Sequence, residues 1–439
     1  VHWQLRDPAR QLIVLCWALV VLPRLVQTLT ATKRRGSVSS AVPKSALALH
    51  SERLLELALI AFCLLLLARR ARRLPTDRGS VLFVMISPWV FMVLRDIAAD
   101  QKLRISSVLY PVVVVAVWVL RPRLEHLRLL AGLVAVTAVL GLVLAVVWPS
   151  RGLFTGITGD QITPTKQLLP WGLLIGPFTD PNNFGQFLVL GLPAAVLVSN
   201  RLKRMLIVVV TVVALVWTSS RSSLGAAAVG AVVSLILAPL HPVTKRTIGR
   251  GLIVLLGGVL VLLPLLTTSD TGFTNRGYIW KHGLTTWREN PWLGNGSAWY
   301  SEIGKFANAL GQLAFHGHNQ FLHTLVTGGL VYLALTVGLV IALADAASSW
   351  ARRAISFPVV YLCTFLVSCT LEVSFGVVDR GFLLAVTVLP MAFILFADPT
   401  PELPVLKIYH RVHVPHGADG DRVAAGRSGW SVPSDGPTG

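Results

Sequence analysis

The stretch His316-Gly317-His318-Asn319-Gln320-Phe321-Leu322 sits where a long polar segment meets a long apolar one. The polar segment reaches back to Asn275 and carries Arg276, His282 and Arg288, with four tryptophans interspersed. The apolar one continues through Gly328-Gly329 to Tyr332 and beyond. Outside this region the chain is dominated by hydrocarbon-like runs, so 275–332 reads as the longest part suited to water. A chain that is mostly apolar yet keeps one histidine- and arginine-bearing loop is expected to do its chemistry in that loop.

The 439 residues are 54% hydrophobic and only 13% charged, where soluble domains carry about 25% charged residues. The mean hydropathy is +0.67. This is the composition of an integral membrane protein. Apolar runs of about 20 residues suit transmembrane helices, and the short alternating segments of a β-barrel do not appear. The periodicity predicts spans near 12–30, 50–68, 80–95, 105–120, 126–148, 184–199, 205–220, 222–239, 250–266, 319–343, 356–374 and 381–397. The expected fold class is therefore an all-α polytopic membrane protein of about 12 transmembrane helices. Residues 1–397 form the membrane domain, with one large external loop at 267–318. Residues 398–439, rich in Pro, Gly, Ser and Asp, are expected to be a disordered cytoplasmic tail.

An even number of spans puts both termini on one side. The loops on that side include Arg69-Arg70-Ala71-Arg72-Arg73, Arg121-Pro122-Arg123, Arg201-Leu202-Lys203-Arg204, Lys245-Arg246 and Arg352-Arg353. Five basic loops mark it as cytoplasmic, against a single external breach at Lys33-Arg34-Arg35. They also account for the formal charge of +19 without invoking nucleic acid, for which no basic face with interleaved aromatics is present. The first apolar run lacks a small-residue cleavage site and is expected to stay as a span. Cys16, Cys63, Cys363 and Cys369 all fall in apolar segments, as buried hydrophobes do, and form no metal or disulfide pattern.

Four polar clusters fall on the external side. Asp180-Pro181-Asn182-Asn183-Phe184-Gly185 has the chemistry of a capped helix start. Thr218-Ser219-Ser220-Arg221-Ser222-Ser223 places an arginine between two apolar runs, where a charge is costly unless it has a function or snorkels. In Asn275-Arg276-Gly277-Tyr278-Ile279-Trp280, continuing to Trp287, a helix over 276–289 puts Arg276, Trp280, Gly283 and Trp287 on one face. That face suits an amphipathic helix on the membrane or a guanidinium held at phosphate level; both readings can hold together. The Asn290-Pro291-Trp292-Leu293-Gly294-Asn295-Gly296 turn then directs the chain back. In the fourth cluster, His316 or His318 can exchange a proton near neutrality and could deprotonate a sugar hydroxyl. A zinc site completed by His282 or His323 finds no carboxylate or cysteine close in the sequence, so no metal is expected. On the outer side cytoplasmic nucleotides are absent, so a substrate must arrive already activated; a lipid-linked donor meets that requirement.

These clusters, in this order across 175–335, resemble the O-antigen ligase family of membrane glycosyltransferases. The family pattern of His and Asn, Ser or Gln, nine residues, Gly, two residues, then Gly, Thr or Tyr is matched by His318-Asn319, Gly329 and Tyr332. The resemblance implies a GT-C-type fold in a bacterial plasma membrane and a metal-independent, inverting mechanism. It implies a polyprenyl-diphosphate glycan as donor and a glycan or glycolipid as acceptor. By the same resemblance His318 is the base, Arg221 and Arg276 hold the diphosphate, His316 supports, and Asn319 orients the His318 ring. Trp280, Asp180 and Asn182 are expected at the substrate. The alternatives are a polymerase with a lipid-linked acceptor, an oligosaccharyltransferase acting on protein, and a transporter or flippase of lipid-linked sugars.

Overall fold

The computed structural model describes residues 7–30, 44–70, 77–101, 105–154, 156–157, 160–161, 167–169, 171–303, 316–378 and 380–399. The expected tail over 400–439 and the stretch 304–315 lie outside the described residues. Helices overlie every predicted span: α1 (Pro8–Thr30), α2 (Ala46–Arg70), α3 (Gly79–Ala98), α4 (Leu109–Leu120) and α5 (Arg128–Val147), followed by the one-turn α6 (Pro149–Gly152). Then come α7 (Pro181–Gly191), α8 (Arg201–Thr218), α9 (Arg221–Leu237), α10 (Pro242–Leu266), α11 (Gly272–Glu289), the short α12 (Trp299–Ile303), α13 (Gln320–Ala351), α14 (Phe357–Leu371) and α15 (Val388–Phe396). Among the described residues, five helical segments are long and apolar enough to cross a membrane: Pro8–Thr30, Gly79–Ala98, Leu124–Val147, Pro242–Leu266 and Gln320–Ala351. Four two-residue strands lie between α6 and α7 and pair as two small antiparallel ribbons.

The packing is that of a protein surrounded by hydrocarbon. Phe83, Leu235 and Val254 are each more than 70% exposed, an arrangement water would penalise and lipid does not. Inside, one continuous apolar cluster joins α1, α4, α5, α7, α14 and α15. All four cysteines are buried and unpaired with one another.

Polar contacts gather the helix ends at two opposite faces. On one, Arg70 donates to the carbonyls of Val119 and Leu120, and Arg78 to those of Leu395 and Ala397. Guanidiniums thus satisfy carbonyls left over at helix C-termini, where the helix dipole also favours a cation. On the other, Thr28 Oγ1 donates to Pro177 O, and Arg151 donates to Thr28 O at 2.6 Å. Arg95 reaches the carbonyl of Gly294 at 2.9 Å, and Asp96 accepts from both the backbone and the hydroxyl of Ser297.

This second set of contacts fixes the turn that interrupts α13. Gly329 has φ 65° and ψ −163°, so the helix breaks there. The backbone groups freed by the break bond to the 290–296 turn: Leu330 N and Val331 N donate to Pro291 O and Trp292 O, and Val326 O and Thr327 O accept from Asn295 N and Gly296 N. Irregular backbone survives among apolar helices only when its polar groups are satisfied in this way. A Cβ at Gly329 would lie 2.3 Å from Trp292 O, whereas one at Gly338 in the same helix would meet nothing. Gly329→Ala is therefore expected to lower thermal stability in detergent by on the order of 1–3 kcal/mol, and Gly338→Ala to leave it near wild type. Equal melting temperatures for the two variants would contradict this account of the break.

Candidate active site

The turn into α13 is shaped by its own sequence. Asn319 is the N-cap: its Oδ1 accepts from Leu322 N at 2.9 Å, while its Nδ2 donates to Leu260 O and Thr370 O, both at 3.0 Å. The carboxamide is thereby committed to backbone, tying α13 to the ends of α10 and α14. It is a cap and a tether, and not the group that orients the His318 ring. His318 has φ 48°, a left-handed conformation that costs on the order of 1–3 kcal/mol for a non-glycine residue. Two contacts hold that turn in place: Trp280 Nε1 donates to Gly317 O at 3.1 Å, and His318 N donates to His316 Nδ1 at 3.0 Å.

The second bond has a chemical consequence. With Nδ1 of His316 accepting, the proton of the neutral ring resides on Nε2, and Nε2 lies 3.5 Å from Oε2 of Glu372. His318 Nδ1 faces the same oxygen at 3.7 Å. The other carboxylate oxygen, Oε1, receives Arg276 Nη2 at 2.6 Å. Glu372 is 2% exposed, just beyond the C-terminus of α14. Gln320 holds the segment after it: its Oε1 accepts from Ser374 N and Phe375 N, and its Nε2 donates to Phe375 O. The two imidazoles lie against each other, tilted by 44°, with centroids 3.9 Å apart.

Arg276, Trp280, His316, His318 and Asn319 are thus brought together. Trp280 is fully buried, and its helix face packs on α13 through Leu322 and Val326 rather than forming an aromatic belt. The expectation that 316–322 is a water-exposed segment is overturned as well, since both histidines are buried. The polarity of these residues serves an internal network. Asp180 caps α7, accepting from Asn182 N and Asn183 N, and the Asn182 side chain is half-buried beside it. Arg221 is exposed at the first turn of α9. Its neighbours Ser220 and Ser223 lie against Gly185 of α7, and the next residue, Gln186, donates to Ser374 Oγ at 3.3 Å. Arg221 is thus placed beside α7, whose Gln186 reaches the segment after Glu372. Glu372, Gln320 and Arg380 are participants that the sequence reading missed. Beside them, a small cleft is lined by Ser297, His323, Thr327 and Tyr332.

The electrostatics follow from burial. Burial pushes the His316 pKa well below its ordinary value, and the charges of His318, Arg380, His323 and Arg276 lower it further. For Glu372, burial alone would raise the pKa, but His318, Arg276 and Arg380 outweigh it and hold the carboxyl below the usual range. His316, His318 and Glu372 also present three potential ligand atoms within 4.8 Å of one another. The expectation that no carboxylate is available to a metal is thus corrected, because Glu372 arrives from a distant part of the chain. The donor set has the size of a cation site, yet Arg276 already occupies Oε1, and Arg380 adds a second positive charge.

Fold and site together define a polytopic helical membrane protein with a buried histidine–glutamate–arginine cluster at one end of its bundle. The family model described as O-antigen ligase matches residues 206–337, from α8 past the break in α13. The match makes this part of the chain similar to the O-antigen ligase family. No curated protein matches the chain.

The protonation pattern makes the site sensitive to acid. The folded state holds His316 neutral, whereas in the unfolded chain it takes up a proton near pH 6.5. The unfolded state therefore binds more protons, and stability falls as pH drops through that value. The contribution of Glu372 is lost only lower, as pH falls below about 4.3. The melting temperature in detergent is expected to drop between pH 7.5 and 5.5. His316→Asn, which keeps an acceptor for His318 N, should flatten that slope; an unchanged slope would contradict the assignment.

Proposed function

We propose that the protein is a membrane glycosyltransferase that moves a glycan from a polyprenyl-diphosphate carrier to an acceptor hydroxyl at the outer face of a bacterial plasma membrane. The observation that carries this reading is the Glu372 carboxylate, which binds Arg276 through one oxygen and faces His318 Nδ1 with the other. A carboxylate on the Nδ1 side orients an imidazole and stabilises its protonated form, leaving Nε2 to accept a proton. His318 is then the general base. The acceptor oxygen forms a bond to the anomeric carbon from the face opposite the leaving group, and its proton passes to His318 Nε2. The bond from that carbon to the phosphate oxygen breaks, and the lipid diphosphate departs with the electron pair, inverting the configuration.

Negative charge grows on the leaving diphosphate, and Arg276 and Arg221 stabilise it through forked, bidentate contacts. His316 keeps its Nε2 proton on Glu372 and so holds the carboxylate in place beside the base. Asp180 and Asn182 border the donor side from the start of α7. The basic loops put the helix ends around Arg70 and Arg78 in the cytoplasm, with both termini, and the catalytic face outside. Twelve crossings and a GT-C-type architecture accord with the helices over all the predicted spans. The outward site lacks access to nucleotide donors, which favours a pre-activated, lipid-linked one.

Purified protein supplied with a polyprenyl-diphosphate glycan and candidate acceptors is expected to release lipid diphosphate. His318→Ala should reduce that release by about 10²–10⁴-fold without loss of folded protein. Arg276→Lys should impair it despite the retained charge, because the fork is lost. Full turnover by His318→Ala would remove the base. With His318 acting as the base and Glu372 as its orienting carboxylate, excess chelator should leave turnover unchanged; its abolition, restored by added zinc, would favour a metal mechanism instead.

A further inference from the structure

The proposed transferase needs guanidiniums for a diphosphate, and Arg276 is already bonded to Glu372. A second pair of guanidiniums lies on the same side of the molecule, unassigned by the motifs. Arg24 belongs to the last two turns of α1, inside a membrane-spanning helix. Its guanidinium carbon lies 5.6 Å from the ring centroid of Phe178 and 5.7 Å from that of Phe382. Arg380 approaches the same Phe382 ring at 5.8 Å. Its charge also acts on both Glu372 and His316. Arg24 and Arg380 therefore share the Phe382 ring, and Arg380 also lies within electrostatic reach of the histidine cluster.

The surroundings of Arg24 indicate what it is for. An ionisable group inside a span is costly and is normally retained for a partner or a ligand. Nη1 donates to Val20 O, one turn back on its own helix. The acidic residue whose charge bears on it, Glu52, is itself in an ion pair with Lys44. Two aromatic faces support the cation without consuming its in-plane N–H groups, which leaves edges directed at a planar or tetrahedral anion. The segments supplying those rings are held in place: Pro177, next to Phe178, accepts from Thr28 of α1, and Arg151 donates to the Thr28 carbonyl. Phe178 stands two residues before Asp180, so the Asp-Pro-Asn motif at the start of α7 also fixes one wall of this site. A singly charged anion would satisfy one guanidinium, whereas a diphosphate offers each its own phosphoryl group.

We infer that Arg24 and Arg380, arranged about Phe382, help to hold the diphosphate of the lipid carrier, in addition to the Arg276 and Arg221 of the proposed mechanism. The inference rests on the transferase reading and adds a specific substrate contact to it.

The test uses the full chain in detergent or nanodiscs, with undecaprenyl diphosphate, undecaprenol and inorganic diphosphate as probes and binding read by native mass spectrometry. Wild type and His318→Ala should bind undecaprenyl diphosphate and discriminate against undecaprenol. Arg24→Gln and Arg380→Gln should each weaken that binding by about tenfold or more, and Arg24→Lys by several-fold. Melting temperatures of the unliganded variants show whether they are folded, and Arg24→Lys keeps the charge if the neutral variant does not fold. Wild-type affinity in both Arg24→Lys and Arg380→Gln would overturn the inference while leaving the transferase reading intact. Failure of wild type to bind the lipid diphosphate would overturn both. Arginine-dependent binding of inorganic diphosphate, without binding of the lipid form, would assign the site to a soluble anion and overturn the carrier role.

Discussion

A carboxylate at 2% exposure among apolar helices has to be paired, because an isolated buried charge is far costlier than a buried pair. Glu372 meets that requirement with Arg276 on one oxygen and two imidazoles near the other. Three parts of the chain that share no local sequence, the start of α11, the turn into α13 and the end of α14, are thereby obliged to meet. Gln320 and Asn319 make the same connection with neutral bonds, each clamping α13 to the segment around 370–375. Removing Glu372 would leave the part-buried Arg276 without its anion and the histidine turn without its anchor. The functional geometry and the packing of this end of the bundle are consequences of one charge.

The break in α13 is the complementary constraint. A helix that stops at Gly329 exposes backbone groups where no water is available, and the 290–296 turn supplies their partners. The turn needs the break to dock, and the break needs the turn to exist. The two pieces, Asn-Pro-Trp-Leu-Gly-Asn-Gly and the Gly-Gly before Tyr332, are therefore halves of one structure. Both fall inside the stretch 206–337 that matches the O-antigen ligase family. Glu372 and Arg380 lie beyond it, so the matched region contains both histidines and Arg276 but not the carboxylate they share.

The helices were legible because hydrophobic runs of the right length have few other solutions. The helix over 276–289 with its Arg276–Trp280–Gly283 face was legible for the same reason, and the cap at Asp180 follows from residue chemistry alone. What covers a polar segment was not legible. The histidine turn looked suited to water, but its polar atoms bond to helix ends and to a carboxylate from elsewhere in the chain. Glu372 did leave a trace: an acidic residue closing the apolar run 357–371, where charge is costly. Read with the histidines, it would have redirected the role given to Asn319. Arg24 stood out in the sequence only as a charge within an apolar run, and its approach to Phe382 depends on how α1 and the segment after α14 pack.

The charge balance of this face limits its ligand. Glu372 is a single carboxylate, and Arg276 and Arg380 already act on it from the same space as two histidines. Two unit charges about 4 Å apart interact by roughly 4 kcal/mol at an effective dielectric of 20. A divalent cation between His316, His318 and Glu372 would gain from one anion and be opposed by two guanidiniums at comparable range. An anion entering beside Arg276 and Arg380 meets the opposite balance. It also supplies what the imidazole chemistry requires, a leaving group whose growing negative charge lies against fixed positive groups. The same carboxylate that completes a metal triad by geometry is, by electrostatics, better matched to its arginine and histidine neighbours than to a divalent cation.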